Sequence, residues 1–186
     1  MPQCTGRGAA PFAPNGGEGV VGPPAQGRSP LGRSPRWRVL LVVGGGRLGA
    51  RVRRAVAGTP AVTVVGEVPG DAPGLAGVAV AATELAPVVV VTATGSALPA
   101  SPSVRGRLRA LGVAVVAVVT DPTRDGVRGL LRNGLRGIVS DAELTDSDLI
   151  GLSVAAAARD QVFVTPAAAT VAAPGSVSSQ GSGVVD

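Results

Sequence analysis

The chain has 186 residues, 45% of them apolar, and a formal net charge of +5 from 17 basic and 12 acidic residues. That length holds one domain of ordinary size plus tails, the single Cys4 excludes an internal disulfide, and the apolar run Val113–Val119 is far too short to span a bilayer. Every basic residue is an arginine, and lysine, histidine and tyrosine are absent.

Residues 1–36 read as a disordered, basic tail rich in Gly and Pro, with PNGGEG, GPP and the near-repeat GRSPLGRSP. Arg7, Arg28, Arg33 and Arg36 stand against Glu18 before Arg38, so +3 of the +5 falls there. A solvated tail is the simpler reading of that charge, and a weak nucleic-acid contact the other. Arg38–Val43 (RVLLVV) is a short apolar strand of the kind covered on both faces. Arg47–Ala57 follows as a helix, with Arg47, Arg51 and Arg54 on one stripe and Leu48, Val52 and Ala55 on the other. The arginine stripe reads as a solvated face or, alternatively, as a docking face for an acidic partner.

Ala61–Gly66 is the second strand, Gly74–Leu85 a weak helix carrying Gly77 and several β-branched residues, and Val88–Ala93 the third strand. Val104–Leu111 is a helix, Val113–Thr120 the fourth strand, and Arg124–Asn133 a helix closed by Gly134. Gly137–Ser140 is a short fifth strand. Thr145–Asp160 is the last helix, capped by Thr145 or Asp146. The remainder, 167–186, ends in Gly, Ser and Val and reads as a flexible tail.

Five βα units imply a doubly wound α/β domain with a parallel sheet and right-handed crossovers. Two topologies compete, the flavodoxin-like order 2-1-3-4-5 and a Rossmann half-fold. The second gains support from Gly44-Gly45-Gly46-Arg47-Leu48-Gly49, a G-x-G-x-x-G run between a strand and a helix. Glu67 ends the second strand where a ribose-binding acid would sit. In that reading Gly44, Gly46 and Gly49 let a pyrophosphate approach the helix N-terminus.

Three longer stretches decide for the first topology. AVTVVGEV followed by a helix and LAPVVVVTA resembles the part of receiver domains usually written EVVGEA…PDVVLMD. RGLLRNGLRGIVSD resembles their fourth helix and fifth strand, and DLIGLSVAAAARDQVFVTP their last helix and exit strand. The resemblance is to response-regulator receivers of the NarL/LuxR class and covers 37–166, about two thirds of the chain. It implies a (βα)5 flavodoxin-like sheet and a cytoplasmic role in two-component signal transduction.

The same resemblance implies a phosphorylation site that this chain does not furnish. Receivers use an acidic pair after the first strand to hold Mg²⁺, an Asp at the end of the third as acceptor, a Thr or Ser after the fourth and a Lys after the fifth. The acidic pair falls on Val43 and Gly44, the acceptor on Ala93, the hydroxyl on Val119 or Thr120, and the Lys on Ser140 or Asp141. Thr92 and Thr94 flank Ala93, but strand alternation turns their side chains away from its position. Asp121, Asp125 and Asp141 read as loop and cap residues. No catalytic residue, metal or cofactor is expected.

The resemblance also implies a contact surface on the fourth and fifth helices. Arg128, Leu131, Arg132, Arg136 and Leu152 would form it, with Leu130, Leu149 and Val154 partly available. Regulators of this class continue into a helix-turn-helix domain, whereas this chain stops about 20 residues past Pro166. No sequence-specific DNA binding by this chain alone is expected. Three roles follow: a phosphorylation-independent receiver-like protein acting by protein contact or self-association, a small-ligand sensor using the glycine-lined pocket, and a dinucleotide-binding protein.

Overall fold

The computed structural model describes residues 36–173. Nearly all of the expected tail 1–36, Cys4 included, and the end of the chain from residue 174 lie outside them. Six strands alternate with six helices: β1 (Trp37–Val43), α1 (Arg47–Ala57), β2 (Val62–Pro69), α2 (Leu75–Leu85), β3 (Val89–Ala93), α3 (Pro102–Ala110), β4 (Ala114–Val119), α4 (Arg124–Arg132), β5 (Gly137–Ser140), α5 (Ser147–Ala157), β6 (Phe163–Val164) and α6 (Pro166–Ala172). All pairings are parallel, in the order β2-β1-β3-β4-β5-β6. The first five strands follow the flavodoxin-like order, so the Rossmann half-fold is excluded.

Strand alternation builds two cores. Val39, Leu41 and Val43 of β1, Val89, Val91 and Ala93 of β3 and Val139 of β5 pack beneath α1 and α5, against Val52, Val56, Ile150 and Val154. Leu40 and Val42, Val90, Val115 and Ala117, and Ile138 pack on the opposite face, beneath α2, α3, α4 and α6. Each central strand is thus apolar on both sides, which is why it reads as a continuous Val/Leu run. Side chains of this size bury about 1.5–3 kcal/mol each, so a core almost free of aromatics depends on their number.

Helix ends follow from local chemistry. Thr123 caps α4 by accepting from the Gly126 N–H at 3.2 Å, and Asp146 caps α5 by accepting from Asp148 N–H at 3.0 Å. The cap of the last helix is therefore Asp146, and Thr145 lies before it. The helix α2 ends on Ala86 in the left-handed region, φ 43°. Arg38 at the start of β1 donates to the carbonyls of Leu85 and Ala86 and so satisfies that helix end.

The expectation of a flexible tail from residue 167 is corrected in its first part. Residues 166–172 form α6, with Pro166 in its first turn and Ala168 fully buried against the second core. Glu143 explains its anchoring, because its Oε1 accepts from the Ala167 N–H at 2.9 Å. The short strand β6 pairs with β5, so β5 is not the edge of the sheet.

Candidate functional site

The carboxyl ends of β1, β3, β4 and β5 lie side by side. Val42 pairs with Thr92, Ala93 with Val118, and Val119 with Ser140. The sequence-assigned residues Val43, Ala93, Val119 and Ser140 are therefore brought to one edge, all buried, with Gly44 and Thr120 exposed beside them. Neutral groups knit this edge together. Thr94 Oγ1 accepts from the Thr120 N–H at 2.9 Å, and Thr92 Oγ1 and Ser96 Oγ share a hydrogen bond at 2.8 Å. Thr165 Oγ1 accepts from the Ser140 N–H at 3.0 Å. Asp141, one residue past β5, accepts from Arg51 of α1 at 3.0 Å, and its backbone carbonyl takes a second hydrogen bond from the same guanidinium.

The glycine loop sits on the same edge. A Cβ at Gly44, Gly45 or Gly46 would meet nothing within 4 Å, whereas one at Gly49 would fall 2.0 Å from the Gly44 carbonyl oxygen. Close approach thus requires a glycine only at position 49. Glu67 is occupied: Arg53 of α1 donates from Nε to both carboxylate oxygens at 2.9 and 3.0 Å and from Nη2 to Oε1. These bonds hold the Arg53 guanidinium above its ordinary pKa, with desolvation opposing them.

No protein-family model matches the sequence, and no curated protein matches it. Solved structures do match. One is a LuxR-family two-component response regulator from Aurantimonas sp. SI85-9A1, 17% identical, with a TM-score of 0.59 over 74% of this chain and 95% of that one. The isolated REC domain of RcsB from Salmonella enterica serovar Typhimurium, solved with the phosphomimetic BeF3-, is 14% identical, with a TM-score of 0.55 over 73% and 98%. The receiver domain of NarL from Mycobacterium tuberculosis is 18% identical, with a TM-score of 0.52 over 64% and 97%. The fold is that of a response-regulator receiver domain.

The positions that the sequence resemblance assigned to a phosphorylation site lie on the edge just described. Mg²⁺ requires carboxylate oxygens, and Val43, Gly44 and Ala93 carry none. The acid nearest in sequence to the end of β5, Asp141, already faces Arg51. Among the described residues no cluster of three or more acids, Cys or His could hold a metal ion. Ala93 ends β3 at 4% exposure on the α1/α5 side, and Thr92 is buried on the other, as alternation requires.

Two groups of sequence-assigned residues are rearranged by the structure. Glu67 does not stand free for a ribose, because Arg53 takes both of its oxygens; its partner is brought close only by the parallel pairing of β1 with β2, a long-range fact that residue spacing does not carry. The contact surface on the fourth and fifth helices is divided. The helices α4 and α5 lie on opposite faces of the sheet. Leu130 and Leu131 of α4 pack against the core that includes Ala168 of α6, and Val154 of α5 is buried in the other core. Arg136 pairs with Asp160 at 2.7 Å. Arg128 and Arg132 stay exposed on α4, and Leu152, 54% exposed, lines a groove with Pro60, Ala61 and Ala155 on the α5 side. Of the arginine stripe on α1, Arg51 is engaged with Asp141.

Among the described residues no helix is long and apolar enough to cross a membrane.

Proposed function

We propose that this chain works as a phosphorylation-independent receiver-fold protein in signal transduction and transcriptional regulation, acting through protein contact. The observation that carries this reading is Ala93, a methyl group at the end of β3 where the fold's chemistry requires a carboxylate. Val43, Gly44 and Ser140 around it supply neither metal ligand nor cation. With no acceptor, the edge has no phosphorylated state to switch into, and its contacts are fixed when the chain folds.

Incubation with acetyl phosphate or beryllofluoride and Mg²⁺ tests this. Mass and melting temperature are expected to stay unchanged. A base-labile acyl-phosphate adduct would overturn the reading. Protein contact is tested separately by ultracentrifugation of the wild type against Leu152→Glu. A dimer lost in the variant supports contact through the α5 side, and a wild type that is monomeric at every concentration removes self-association from the reading.

A further inference from the structure

A cluster of arginines lies at the other end of the strands. A cleft of about 790 Å³ runs along the amino edge of the sheet, between α3, α4 and the turn after α5. Arg105, Arg109, Arg132 and Arg136 line it, with Asp160 as the one acid. Val113, Val115 and Leu135 form an apolar wall. The volume lies within the range of small-molecule sites, which pair apolar walls with a few placed polar groups.

Helix ends account for part of this charge. Arg109 and Arg132 fall in the last turns of α3 and α4, where a cation offsets exposed carbonyls. That argument does not reach Arg105, in the first half of α3. Its Nη1 donates to the Asn133 carbonyl, which ties α3 to the end of α4. Its Nε is sealed from solvent and has no acceptor. A buried cationic donor without a partner costs more than an ordinary missing hydrogen bond. Arg136 spends its Nε on Asp160. Arg109 and Arg132 meet no carboxylate among the described residues.

We propose that this cleft binds a small anion carrying two or more phosphate groups. Guanidinium forks match phosphate oxygens bidentately and bind them in partly desolvated sites. Arg109 and Arg132, with the remaining donors of Arg105 and Arg136, suit a linked phosphate chain better than a single carboxylate. The apolar wall is where the body of a phosphorylated metabolite would lie. The site is at the opposite edge from the altered phosphorylation pocket and does not depend on it.

Calorimetry at 150 mM salt on the full chain tests the proposal, with sodium tripolyphosphate and, in a second arm, ATP without metal. Arg105→Gln and Arg132→Gln are each expected to raise Kd about tenfold or more for tripolyphosphate, while Arg124→Gln, outside the cleft, leaves it unchanged. Tighter binding of ATP than of tripolyphosphate would assign the apolar wall to a nucleoside, and equal binding would assign the site to the phosphate chain alone. Both support the site. Binding weakened equally by Arg124→Gln, or untouched by Arg105→Gln and Arg132→Gln, would overturn it as general attraction to a basic chain. No binding to the wild type would overturn it outright. Arg132 is exposed, so its variant keeps the test valid if Arg105→Gln fails to fold.

Discussion

The two ends of this sheet have opposite character. At the carboxyl edge, where helices begin and the receiver fold collects acids, the strands end in Val43, Ala93, Val119 and Ser140, and threonine hydroxyls bind backbone N–H groups. At the amino edge, where helices end, four arginines surround a cleft. The two layers of packed valines between them are indifferent to this difference, because both cores are built from the alternating faces of the same strands. The same packed layers therefore support a neutral edge at one end of the sheet and a charged one at the other.

The sharpest way to break the comparison is the glycine loop on the carboxyl edge. Gly49→Ala puts a methyl 2.0 Å from the Gly44 carbonyl oxygen, so α1 or the loop must move. Overpacking of this kind costs about 1–3 kcal/mol, more than the roughly 1 kcal/mol that Ala gains over Gly inside a helix. A net loss of up to about 2 kcal/mol is expected in urea melts. Gly45→Ala, facing open space, should change stability by less than about 0.5 kcal/mol. Equal losses at both positions would mean that the whole loop is shaped for a ligand. NAD(H) is expected to leave the melting temperature unchanged, since ligand at a hundred times Kd would add about 2.7 kcal/mol and be plain to see.

The amino edge offers a change of opposite sign. Ala86 ends α2 with φ 43°, a region that costs an L-residue about 1–2 kcal/mol. Ala86→Gly removes that strain, and part of the gain is lost to the greater freedom of glycine in the unfolded chain. The expected outcome is a stabilisation of about 0.5–1 kcal/mol, read as a rise of roughly 3 °C in melting temperature. A destabilised variant would show that Arg38, which binds the Leu85 and Ala86 carbonyls, holds this turn only when a methyl group fixes it.

Most of the fold was legible because its signals are local. The apolar runs at Arg38–Val43 and Val88–Ala93 needed both faces covered, and the turn glycine at 134 does adopt a positive φ of 83°. The place of Ala93 at the end of β3 was legible for the same reason, since a strand end is a position in sequence. What was not legible depends on distant pairs. Phe163 and Val164 are too short a run to announce a strand without β5 beside them. The segment from Pro166 reads as loose alanine and threonine until Glu143 accepts from the Ala167 N–H and Ala168 meets the second core. The burial of Leu130, Leu131 and Val154 was hidden for the same reason, because α4 and α5 cover opposite faces of the sheet. The arginine cleft was hidden because Arg105 and Arg136 are 31 positions apart and meet only through the β4–β5 pairing.

The smallest expected effect bears on the ion pair at the carboxyl edge that joins α1 to the residue after β5. Arg51 reaches Asp141 with two contacts of different kind, one to the carboxylate and one to the backbone carbonyl. Their side chains are 45% and 19% exposed, so the ionic part is screened by water and is worth about 0.2–1 kcal/mol. A cycle of Arg51→Ala with Asp141→Asn separates the two contacts, because Asn keeps the backbone carbonyl and removes only the charge. Arg51→Ala should then cost more than Asp141→Asn, with a coupling near 0.5 kcal/mol. The coupling should shrink as salt is raised toward 1 M, where screening acts over about 3 Å. A coupling several times larger that survives salt would mean that this pair, and not the threonine network, holds the edge closed. The carboxyl edge would then resemble the charged amino edge more than it differs from it.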